Sequence, residues 1–77
     1  MEKHPEVGEI WKNNRRNIEY TIVVVALWAD SPDENNREEW VVYQNINDKS
    51  ISVRSMKSWL GTNRNGQKRF EYVNCLP

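Results

Sequence analysis

The chain is short of the residues from which small catalytic and metal-binding proteins are built. It has one cysteine, Cys75, and one histidine, His4, among 77 residues. A lone cysteine excludes an intramolecular disulfide and points to a reducing compartment, so the expected location is cytoplasmic. No His/Cys group has zinc spacing, no histidine stands beside Cys75 to activate it, and His4 sits in a polar lead-in. The three glycines are separate, so no glycine-rich loop can cradle a phosphate. Long apolar runs are missing too: Ile22 to Trp28 falls far short of the about 20 residues that cross a bilayer, and no signal-like run opens the chain. Net charge is also missing, with 11 basic against 11 acidic residues, so no global field announces a polyanion or a membrane. These absences predict a protein that is not an enzyme, holds no metal or cofactor, and avoids membranes.

What the chain has is aromatic residues and β-forming stretches. Four Trp, three Tyr and one Phe are a large supply for a domain whose length barely suffices for one core, since each ring buries about 150–250 Å². Residues 1–7 read as a flexible leader and residues 8–77 as one domain. "GEIWKN" from Gly8 predicts a first strand and "NNRRN" a loop. Ile18 to Ala29 predicts a long strand, and Asp30 to Glu39 a solvated loop around Pro32. "WVVYQNI", Trp40 to Ile46, and "ISVR", Ile51 to Arg54, are close enough to form a hairpin. "SMKSWL" predicts a helical turn capped by Ser55 with Met56, Trp59 and Leu60 on one side. Asn65-Gly66 predicts a type I′ hairpin into a last strand over Lys68 to Val73.

Five or six short antiparallel strands with one helical turn before the last predict an all-β fold, best matched by a small SH3-like barrel, closed or half-closed. A PUA-like or OB-like barrel is the alternative. The long strand poses a problem of its own, because "YTIVVVALWAD" has no polar alternation. A bulge near Val23 and Val24 would let Tyr20 and Ile22 point inward before it and Val25 and Leu27 after it. Without one, Val23, Val25 and Leu27 would form an exposed apolar patch. The bulged strand is the preferred reading.

"EWVVYQN", "ISVRSMKSWL" and "NGQKRFEYV", with "GEIWKN" and "YTIVVVA" upstream, resemble a family of short bacterial and phage proteins of uncharacterised function. Its pattern positions fall on Tyr20, Val42, Tyr43, Val53, Arg54, Trp59, Arg69 and Phe70. Ser55 stands where that family tends to have Pro and Val24 where it tends to have Gly, and the loop after Asp30 is longer. The resemblance implies an SH3-like barrel, and a host cytoplasm if the chain is phage-encoded. It implies no reaction.

Candidate binding residues come from the distribution of charge. No acid interrupts Arg54 to Arg69, which holds Lys57, Arg64 and Lys68, and Lys12, Arg15 and Arg16 form a second basic group. Five acids crowd between Asp30 and Glu39. Trp59 and Phe70 are expected in the core, while Trp11, Trp28 and Tyr43 are the surface candidates. Trp11, Arg15, Arg16, Tyr43, Arg54 and Lys57 therefore predict a noncatalytic module for an anionic ligand, nucleic acid or nucleotide, with bases stacking on the rings. The alternative is a protein-interaction module, such as a phage-encoded inhibitor of a host defence enzyme, using Trp28, Asp33, Glu34, Glu38, Glu39 and Trp40. The opposed charges bracket one groove or lie on separate rims, and the chain is expected to be a monomer or weak homodimer.

Overall fold

The computed structural model describes residues 3–30 and 38–75. Strands β1 (Glu9–Asn13), β2 (Ile18–Leu27), β3 (Glu39–Asn45) and β4 (Ile51–Ser55) lead into helix α1 (Met56–Trp59), and β5 (Phe70–Cys75) follows. All five strands join one antiparallel sheet in the order β4-β3-β2-β1-β5. The fold is thus all-β with one short helix, as expected, but the sheet is not closed into a barrel. β4 and β5 are its two edges, and no ladder joins them.

One face of the sheet carries the core. Alternation places Trp11, Tyr20, Ile22, Val41, Tyr43 and Phe70 on it, and Met56 and Trp59 of α1 close over it. The Ser55 hydroxyl caps α1 by accepting from Ser58 N, as the sequence predicts. Trp59 is the centre of the packing: its ring stacks on Phe70 at 3.7 Å and meets Tyr43 and Trp11 edge-on.

The bulge in β2 is present. Ile22 pairs with Tyr43 and Val24 with Val42, so Val23 is the extra residue and the phase reverses there. Tyr20 and Ile22 are buried before it, and Val25 packs against the core after it. Leu27 differs from expectation. It lies at the last rung of β2, paired with Glu39, and is 57% exposed.

The turn before β5 also departs from expectation. At Asn65-Gly66 only Gly66 has positive φ, at 79°, and Gly66 N bonds Asn63 O while Asn63 N bonds Gln67 O. That is a three-residue connection closed by a left-handed glycine, not a two-residue type I′ turn, which would need Asn65 at positive φ as well. In the leader, Pro5 is buried, Gly8 N donates to Ile22 O, and Glu9 ties Lys3 and Glu6 to the start of β1.

Candidate anion-binding cleft

Three asparagines shape one end of the sheet. Asn13 Oδ1 accepts from the backbone of Arg15 and Arg16, Asn45 Oδ1 from Asn47 and Asp48, and Asn63 Oδ1 from Asn65 and Gln67. Asparagine does this because its amide oxygen can accept from the backbone N–H two residues on, taking the place of a backbone carbonyl. The first two turns are the same device used twice: Asn17 N returns to Asn13 O and Lys49 N to Asn45 O, with Asn17 and Lys49 at φ 59° and 66°. Each turn then projects the side chains at its tip.

Between these turns lies a cleft of about 540 Å³. Its floor is the end of the core, with edges of Tyr20, Tyr43 and Phe70. Arg15 and Arg16 enter it from the first turn, Arg64 from the third, and Arg54 and Arg69 from the two edges of the sheet. The acid in its lining is Asp48, whose Oδ1 accepts from the Ser50 N–H and hydroxyl at 2.8 and 2.6 Å, so that one negative charge lies among the five positive ones. Those two bonds hold the Asp48 carboxyl below the usual carboxylate range. Among the described residues none of the five guanidiniums has a carboxylate partner, since the ion pairs belong to Lys3.

Arg54 and Arg69 meet across the open side of the sheet. Nη1 of Arg54 reaches Ser58 Oγ at 3.1 Å, and Nη1 of Arg69 reaches the same oxygen at 2.7 Å. Arg69 is further held by the carbonyls of Ser58 and Thr62. Arg54 makes no other hydrogen bond among the described residues; its Nε is buried without a partner, and its guanidinium lies 5.4 Å from the centre of the Phe70 ring.

The predicted ligand-binding residues divide accordingly. Arg15, Arg16, Tyr43 and Arg54 come together in the cleft, while Lys57 is exposed on α1 outside it. Trp11 is a correction: it is 4% exposed, edge-on to Trp59 and Tyr72, with its indole N–H on Glu9 Oε1 at 3.0 Å. A carboxylate inside the protein draws that N–H inward, so the ring cannot serve as a stacking surface. Tyr43 is 7% exposed and edge-on to Tyr20 and Trp59, so it contributes to the floor without a free face.

The described members of the acidic set lie elsewhere. Trp28, Glu38, Glu39 and Trp40 cluster at the opposite ends of β2 and β3, where the two tryptophans sit 5.3 Å apart. Asp33 and Glu34 fall outside the described residues. Of the acidic set, the described Glu38 and Glu39 therefore do not border the arginine-lined cleft.

Sequence reasoning missed Arg64 and Arg69 as site residues. For Arg64 the signal was Asn63, whose side-chain oxygen shapes the turn that presents it; Arg69 carried no such signal. Among the described residues no group of three or more His, Cys, Asp and Glu could hold a metal, and no helix is long and apolar enough to cross a membrane. Comparison with protein-family models, curated proteins and solved structures finds no match to this chain.

Proposed function

We propose that this protein is a noncatalytic binding module that recognises an anionic ligand, nucleic acid or nucleotide, through the arginine-lined cleft. The observation that carries the reading is the convergence of five guanidiniums, none paired with a carboxylate among the described residues, on one concavity. Arginine suits phosphate because its planar fork donates two parallel hydrogen bonds. In this reading the chain is a half-closed SH3-like barrel whose open side forms part of the site.

The test is fluorescence anisotropy with a labelled single-stranded oligonucleotide and with nucleotides, read against salt. If all five arginines contact phosphate, the slope of log K on log salt approaches about −3.5, so affinity for the strand falls about a hundredfold between 50 and 200 mM. The double substitution R15E/R16E, on an exposed turn, should weaken binding at least tenfold without unfolding the chain. Binding that ignores salt, or no binding to any nucleotide or nucleic acid, sinks the reading.

A second reading has its own observation. Val24, Val42 and Val53 stand in one row across three strands on the face away from the core, beside Ile51, Ala26 and the Trp28–Trp40 pair. Val53 is 58% and Ile51 62% exposed. That face and Glu38 and Glu39 suit a protein-interaction module of the kind that inhibits an enzyme. Capture of one specific protein from bacterial lysate, insensitive to nuclease and lost in E38K/E39K, would favour it.

A further inference from the structure

Within that anion-binding reading, on which this inference rests, we infer that the cleft takes a compact ligand carrying two or more adjacent phosphates, anchored between Arg54 and Arg69, and not an extended strand.

Three features converge on this. The first is size. The turns at 13–17, 45–50 and 63–67 stand around the cleft, and its volume of about 540 Å³ falls in the range of small-molecule sites, about 300–1,000 Å³.

The second is the lack of a stacking platform. Proteins that bind single strands lay successive bases on aromatic faces along an open groove. Here one face of Phe70 is covered by Trp59 at an interplanar angle of 1°, and the Arg54 guanidinium also packs on the ring. Tyr20 and Tyr43 pack edge-to-face against each other at 5.0 Å and 89°. Their rings are spent on the core, so the cleft offers charge and little to a base.

The third is charge density. Arg54 and Arg69 are held side by side by one hydroxyl, and Ser58 thereby acts as a positioning residue for both. Arg15, Arg16 and Arg64 stand on exposed turns around the same cleft. A strand carries one phosphate per nucleotide and would meet these charges few at a time, whereas a chain of linked phosphates offers several negative charges in one small volume. The shared chemistry is the oligophosphate, free or borne on a nucleoside.

Calorimetric titration of the full chain at 100 mM salt separates the cases, with three probes: inorganic tripolyphosphate, adenosine triphosphate, and an oligothymidylate with a 5′-hydroxyl. The expected result is that the first two bind within about threefold of each other and compete, and that the oligonucleotide is at least tenfold weaker at equal phosphate concentration. Arg54→Met should lose at least tenfold for tripolyphosphate while its melting curve stays cooperative, and Lys57→Met, outside the cleft, should stay within twofold of the parent. If R54M fails to fold, Arg69→Met, at the other half of the anchor, supplies the same comparison. Preference for the oligonucleotide overturns this inference and leaves the anion-binding reading standing. Adenosine triphosphate binding without tripolyphosphate binding also overturns it, because recognition would then lie in the nucleoside. An undiminished R54M overturns the anchor, and no binding by any probe overturns both readings.

Discussion

Glu9 offers the sharpest test of how the fold is held. It is 1% exposed and spends both carboxylate oxygens: Oε1 accepts from Trp11 Nε1 at 3.0 Å and Glu6 N at 2.9 Å, and Oε2 pairs with Lys3 Nζ at 2.8 Å. Burial pushes its pKa up, but Lys3, the Trp11 indole and the Glu6 amide together outweigh burial, and the carboxyl sits below its ordinary value of 4.5. A pKa lowered on folding means stability that is present above the unfolded value and lost as pH falls through the folded one, so the window lies below about pH 4.5. Glu9→Gln keeps an oxygen for Trp11 and Glu6 but removes the charge from both bonds. Charged hydrogen bonds are worth about 1.5–3 kcal/mol, neutral ones about 1 and half-exposed ion pairs about 0–1, so two weakened bonds and the lost pair with Lys3, partly offset by easier burial, cost about 1–3 kcal/mol. Glu9→Ala also orphans the buried Trp11 N–H and leaves a cavity, and should cost about 3–4 kcal/mol. Each kcal/mol corresponds to about 4–8 °C in a domain of this size. Urea unfolding of parent, E9Q and E9A from pH 7 to pH 3 reads these differences. The gap between parent and E9Q should narrow below pH 4.5, because the parent's carboxylate is being protonated while Gln is not. A gap that stays constant over that range, or E9Q as damaging as E9A, would refute the reasoning.

Three more outcomes follow from the packing and the turn geometry. Trp59→Ala removes the ring on which Phe70, Tyr43 and Trp11 converge, and should cost about 3–5 kcal/mol. In a domain this short that is much of the total stability, so near-UV circular dichroism at 25 °C should show lost tertiary signal. Gly66→Ala meets no atom within 4 Å, so its penalty is purely the left-handed φ of 79°, about 1 kcal/mol or slightly more. Gly61→Ala has no such φ and only ordinary contacts at 3.4 Å, so it should melt within a few degrees of the parent. Equal melting temperatures for G66A and the parent would contradict the turn geometry.

Strand identity was legible because β-branched and aromatic residues cluster between turn-forming ones, and even the β2 bulge could be argued from an apolar run that no single face can absorb. Position along the core was harder. Trp11 has the composition of a surface ring beside a basic loop, and its fate is decided by Glu9, two residues earlier, whose carboxylate points the same way on the same strand. A sequence shows that alternation but not that a glutamate has been buried. Leu27 has the opposite history: its phase is right, yet it occupies the last rung of its strand and stays exposed. The cleft was half legible, since Arg15, Arg16 and Arg54 were visible as basic groups. Arg69 was read as one of the family-pattern positions instead, because its partner, Ser58, lies 11 residues away across a helix and a hairpin.

The open sheet and the cleft are one feature seen from two sides. A closed barrel would join β4 to β5 by backbone hydrogen bonds, which satisfy both edges without charge. Here the nearest thing to a seam is Arg54, on β4, and Arg69, just before β5, both donating to Ser58 Oγ. Their bonding nitrogens lie within about 6 Å of each other, and two like charges at that separation repel by about 3 kcal/mol at an effective dielectric of about 20, less where water screens them. For stability alone a carboxylate would serve far better at the centre of that pair than a neutral hydroxyl. The chain has 11 acids to choose from, and the one in the cleft lining, Asp48, makes no ion pair with either arginine. A seam made from cations with no carboxylate partner among the described residues is a local rule broken, and such breaks mark where function is supported at the expense of stability. An anion seated between the two arginines would supply the missing charge, which ties the failure to close the barrel to the activity proposed for the cleft.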